Sequence, residues 1–133
     1  MTNEGYWFTS SKFEVEPGED QEINPGIYGR QLARWLKDRL EERGYVVEAI
    51  VNEDWGRCLI CSRDPFMLWV GCANITGDEI GANIVWHCFA TVEVSWMQKW
   101  IRRIDTEPAL TKLTEDLGKI LRTEPDINLV PEP

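Results

Sequence analysis

The chain has 133 residues, and its 23 acidic against 14 basic side chains give a formal net charge of −9. That balance repels a phosphate backbone and argues against nucleic-acid binding, and no apolar run is long enough to span a bilayer. The length suits one domain, 1–133, with a core of its own, while seven tryptophans point to indoles at a surface as well as in that core.

Met1-Thr2-Asn3-Glu4-Gly5 lacks the basic and apolar regions of a signal peptide, so a cytoplasmic protein with reduced cysteines is expected. Residues 1–10 are expected as an irregular terminus. A first strand is expected near 11–16, where Phe13 and Val15 alternate with Lys12, Glu14 and Glu16. Pro17-Gly18-Glu19-Asp20 then reads as a turn and an acidic loop. Asn24 is placed to cap a helix whose first position is Pro25. Tyr28, Leu32, Trp35, Leu36 and Leu40 form its apolar stripe, and Gly44 supplies the left-handed stop.

The period then changes to two. Tyr45–Val51, Cys58–Ser62, Phe66–Ala73 and Asn83–Ser95 read as strands with short connections, which implies an antiparallel meander. Gly77-Asp78 and Gly81 break the loop before the last of them. Trp96, Met97, Trp100, Ile101 and Ile104 return to helical spacing. Thr106 and Pro108 mark a second start, with Leu110, Leu113, Leu117, Ile120 and Leu121 as its stripe. Pro125, Pro131 and Pro133 make 123–133 an irregular terminus. The expected fold is a two-layer α+β sandwich: an antiparallel sheet of about five strands, helices on one face, and the other face open.

Cys58-Leu59-Ile60-Cys61 has C-x-x-C spacing, with Cys72 and His87-Cys88 downstream. On extended strands Cys58 and Cys61 point to opposite faces, as do His87 and Cys88, so no metal site and no cofactor is expected. Asn74-Ile75-Thr76 matches a glycosylation acceptor but has no force without a secretion route. Phosphate cradles and nucleophile elbows are absent from the sequence. Along the last strand, Ile84, Trp86, Cys88, Ala90, Val92 and Val94 share the core face. Val85, His87, Phe89, Thr91 and Glu93 share the other.

Glu53-Asp54-Trp55-Gly56 reads first as a hairpin turn in which Gly56 takes a positive φ, Asp54 caps and Trp55 folds back over the sheet edge. Two carboxylates beside an indole also suit an anchor for a basic partner. The candidate partner-binding residues are Glu53, Asp54, Trp55, Arg57, His87 and Glu93, in a non-enzymatic protein-binding domain. One alternative is a small enzyme or ligand-binding domain in which Glu53, Asp54 and His87 converge on a pocket. Another is a homodimeric scaffold joined through the open sheet.

Asn24-Pro25, Gly29-Arg30-Gln31-Leu32-Ala33-Arg34-Trp35-Leu36, Gly44-Tyr45 and Glu53-Asp54-Trp55-Gly56 resemble a group of small uncharacterised bacterial proteins. Their pattern is approximately N-P-x-x-x-G-x-x-L-A-x-W-L, a G-[YF] step, and E-D-W-G-W. Leu68-Trp69-Val70-Gly71-Cys72 is similar to their later strand, and Arg57 stands where the pattern has a second tryptophan. The resemblance implies no assigned activity. In size and charge the chain is similar to bacterial immunity proteins, which implies a toxin or effector as the protein partner.

Overall fold

The computed structural model describes residues 5–75, 84–94 and 105–133. Its strands are β1 (Tyr6–Ser10), β2 (Ala49–Glu53), β3 (Gly56–Ser62), β4 (Met67–Asn74), β5 (Trp86–Glu93) and β6 (Ile127–Val130), and its α-helices are α1 (Arg30–Glu42) and α2 (Glu107–Arg122). All pairings are antiparallel, in one sheet ordered β2-β3-β4-β5-β1-β6. The fold is α+β, with the expected meander from β2 to β5. The helical spacing at 96–104 and the loop glycines at 77 and 81 lie outside the described residues.

Six strands replace the expected five because both terminal segments join the sheet. Residues 11–16 form no strand. Instead β1 begins at Tyr6 and pairs with β5, Tyr6 opposite Cys88 and Phe8 opposite Trp86. Phe8 and Ser10 are buried, and the Tyr6 hydroxyl donates to the Thr114 carbonyl of α2 at 3.0 Å. Phe13 is buried without being in a strand, its ring 5.3 Å from that of Trp35 and 6.3 Å from that of Trp86. At the other end β6 pairs with β1, Ser10 opposite Ile127 and Trp7 opposite Val130. Its four residues fit between Pro125 and Pro131, on an edge where a missing N–H is tolerated.

Helix α1 starts at Arg30 rather than at Pro25. Gly29 occupies the cap position with φ +126°, a conformation that favours glycine. The cap comes from outside the helix: one Glu19 carboxylate oxygen accepts the Gly29 and Arg30 N–H groups at 2.6 and 2.7 Å. Its other oxygen accepts the Glu16 N–H at 2.7 Å. A buried carboxylate at the positive end of a helix satisfies free donors and meets the dipole together. The far end matches its expectation. Gly44 adopts φ +97°, the Tyr45 N–H reaches the Leu40 carbonyl at 3.2 Å, and the Gly44 N–H reaches Glu41 at 3.1 Å.

Leu32, Leu36 and Leu40 of α1 and Leu113, Leu117 and Leu121 of α2 are all fully buried. They pack with Phe8, Leu59, Val70, Cys72, Trp86 and Cys88 in one core, so both helices cover the same face of the sheet. Truncating any of these leucines to alanine would cost about 2–5 kcal/mol. Arg57, opposite Cys72, faces this core as well and is only 2% exposed. Its guanidinium contacts Glu22 and lies 3.8 Å from fully buried Glu19. Arg30 bridges Glu16 and Glu22 at 3.0 and 2.9 Å, and Arg34 reaches Glu16 at 3.2 Å. The acidic loop is therefore a counter-ion shell for three arginines.

Candidate functional site

Side chains alternate across a strand, so the register that buries Phe8, Trp86 and Val70 turns their neighbours to the far side. There Trp7 lies opposite His87, Gly71 opposite Phe89, and Trp69 opposite Thr91. Trp7 stacks on the His87 ring with centroids 4.2 Å apart and planes within 4°. Phe89 lies against His87 at 5.0 Å and against Trp69 at 5.8 Å. Gly71 is needed in this arrangement, because a Cβ there would strike the Phe89 ring.

The β2–β3 hairpin delivers the next ring. Glu53 and Gly56 are its closing pair, which leaves Asp54-Trp55 as a two-residue loop. Trp55 folds back across the sheet, 5.8 Å from Trp69 and 5.7 Å from Phe89, and remains 37% exposed. Gly56 takes the positive φ of the turn reading, and β4 adds a second reason for the glycine. Its φ of +159° borders on extended backbone, and a Cβ would strike the Cys72 carbonyl oxygen. Close approach of β4 therefore requires the glycine. The Asp54 carboxylate makes no hydrogen bond among the described residues and does not cap the turn. The Asp54 carbonyl instead accepts the Asn24 side-chain amide at 3.5 Å.

Among the described residues two cavities open on this face, and Trp55 and Trp69 wall both. The larger, about 430 Å³, is completed by Ala73, His87, Phe89 and Thr91. The smaller, about 150 Å³, is completed by Glu53, Cys58, Met67 and Glu93. Burial pushes the His87 imidazole below its ordinary value of 6.5, and its Nε2 has no hydrogen-bond partner among the described residues. Cys58 is pushed up to about 12, first by burial and then by the negative charge of Glu53 and Glu93.

Of the expected site residues, Glu53, Trp55 and Glu93 meet at the smaller cavity, and His87 lines the larger one. Asp54 is exposed at the turn and lines neither. Arg57 is on the opposite face, neutralised by Glu19 and Glu22, because the strand alternation that exposes Cys58 to this side turns Arg57 to the other. Glu53, Asp54 and His87 do not share a cavity. Trp7, Trp69 and Phe89 complete the face. Phe89 is legible from its spacing to His87, and Trp69 from its spacing to Gly71. Trp7 depends on a strand placed five residues earlier than its alternation suggests.

No family model matches this chain, and no curated protein or solved structure does either. Its chemistry is therefore read from its own side chains. Among the described residues no group of His, Cys, Asp and Glu is arranged to hold a metal ion, and no helix is long and apolar enough to cross a membrane. The four cysteines are free. Cys72 and Cys88 face each other in the core with their sulfurs 3.9 Å apart, and burial pushes the Cys61 thiol up to about 12 and Cys88 well upward. Thiols held protonated in this way are poor nucleophiles. Asn74 is buried, its amide donating to the Gly26 carbonyl and its oxygen accepting the Tyr28 N–H, both at 2.9 Å. That side chain locks the 26–28 segment to β4 and offers nothing to a glycosyl transfer.

Proposed function

We propose that this chain is a non-enzymatic protein-binding domain, an immunity-type inhibitor that acts in the cytoplasm and docks its open sheet face on a basic partner protein. The observation that carries the reading is the contact triangle of Trp55, Trp69 and Phe89 on the face opposite the helices, with Glu53, Asp54 and Glu93, which have no ion pair among the described residues, beside it. Rigid aromatic anchors concentrate binding energy, and charge complementarity selects the partner and speeds encounter. The net charge of −9 favours a partner of opposite sign. Four free cysteines fit a reducing compartment.

Affinity capture from the native host, followed by co-expression of the captured protein, tests this. The expected result is a basic protein whose toxicity or activity the chain suppresses. Trp55→Ala should weaken the complex about 30-fold or more, the effect of losing a hot spot of about 2 kcal/mol. A partner retained equally well by Trp55→Ala and Trp69→Ala would sink the proposal.

A second reading draws on the larger cavity, whose volume and aromatic lining suit a small apolar ligand. Acid–base catalysis finds less support, because His87 shares that cavity with no carboxylate among the described residues. Binding of small aromatic probes that shifts the His87 ring protons and is lost in Phe89→Ala would favour this second reading.

A further inference from the structure

We infer that the smaller cavity, walled by Trp55 and Trp69 and flanked by Glu53 and Glu93, receives one arginine side chain of the partner. This rests on the docking reading above and narrows it to a chemistry. Glu53 and Glu93 come from β2 and β5, both are exposed, and neither has an ion pair among the described residues. The helix-side acids Glu16, Glu19 and Glu22, by contrast, each face an arginine. No basic side chain of the described residues lines this cavity.

The rest of the lining matches the other parts of an arginine. Two indoles offer faces on which a planar guanidinium stacks, an attraction that strengthens as water is excluded. Met67 and Cys58 supply an apolar lining for the aliphatic stem, and Cys58 is 4% exposed, its thiol held protonated and without a hydrogen-bond partner among the described residues. The volume of about 150 Å³ suits a single side chain rather than a nucleotide or a folded segment. Lysine meets the charge but not the plane, so arginine is the better fit.

The test uses the intact chain and the tryptophan indole N–H signals in a two-dimensional NMR titration. The probes are N-acetyl-arginine methylamide, its lysine counterpart and its uncharged norleucine counterpart. We expect saturable shifts of Trp55 and Trp69 with the arginine probe at a Kd of about 1–10 mM, the scale of one side chain without its protein. Lysine should bind several-fold more weakly, and norleucine should leave the signals in place. The double variant Glu53→Gln/Glu93→Gln should raise the arginine Kd tenfold or more while keeping the dispersed spectrum of a folded protein. Equal shifts with norleucine, no shift with arginine, or undiminished binding by the double variant would each overturn the assignment. Because no partner is present, these results are separable from the capture experiment. A partner lost on Trp55→Ala alongside a silent arginine titration would leave docking standing and remove the arginine site.

Discussion

On the helix side of the sheet Glu19 is fully buried, caps α1 and faces Arg57, while Glu16 and Glu22 hold Arg30 between them. On the open side Glu53 and Glu93 flank an indole pair and hold no cation among the described residues. The two sets are the same residue types in one acidic chain. The first is fully engaged in structure, since a buried guanidinium is tolerable only with its counter-ions in place. The second contributes charge that no described residue neutralises. The contrast shows that an acid-rich stretch acquires its role from what it faces across the fold, not from its sequence neighbours.

The contrast breaks first at Glu19. Glu19→Ala should destabilise the protein by about 3–5 kcal/mol in a denaturant titration, because it uncaps α1 and strips Arg57 of a buried partner. A loss under about 1 kcal/mol would show that the helix-side cluster is dispensable. Next comes Gly71→Ala, which drives a methyl into the Phe89 ring and should cost about 1–3 kcal/mol. Its signature is a weakened near-ultraviolet aromatic circular dichroism signal with the far-ultraviolet spectrum kept.

Titration sharpens the comparison at intermediate size. The Arg57 guanidinium holds Glu22 below its ordinary value of 4.5, and the Arg30 guanidinium and the Gln31 amide do the same for Glu16. Folded values below unfolded ones give stability that is present above pH 4.5 and lost as pH falls through the folded values. Glu22→Gln should therefore flatten the acid limb of a stability-versus-pH curve, measured by chemical denaturation from pH 6 to pH 3, relative to the wild type. His87 acts in the same direction higher up. Its lowered value means that stability falls as pH drops below 6.5, and His87→Phe should remove that slope. The smallest effect is expected from Glu53→Gln and Glu93→Gln, each changing unfolding free energy by no more than about 0.5 kcal/mol. A larger loss would place these acids among the structural ones.

Much of this architecture is legible in the sequence wherever the signal is local. The leucine spacing of α1 and α2, the Gly44 stop and the alternation that separates Trp86 and Cys88 from His87 and Phe89 all depend on near neighbours. What escapes is tertiary. The α1 cap is supplied by Glu19 across a loop, so Asn24-Pro25 offers a plausible local start that the chain does not use. Arg57 reads as surface because its counter-ions lie more than thirty residues upstream. Phe13 reads as a strand residue because burial gives an irregular segment an apolar side chain too. β6 is four residues between prolines, too short to show a period. For the site, Trp55 and its acids are visible as a motif, but the rings they join depend on strand register that no single segment encodes.

The pairing of β1 with β5 and β6 also ties the two ends of the described chain together. Strands β2 to β5 pair with neighbours close in sequence, whereas Tyr6–Ser10 pairs only with strands from the far end. Contacts of such wide sequence separation carry the larger loop-closure cost, so a chain that has not closed them leaves Tyr6, Trp7 and Phe8 unshielded. Loss of 127–130 would likewise leave β1 as a bare edge, open to pairing with another molecule.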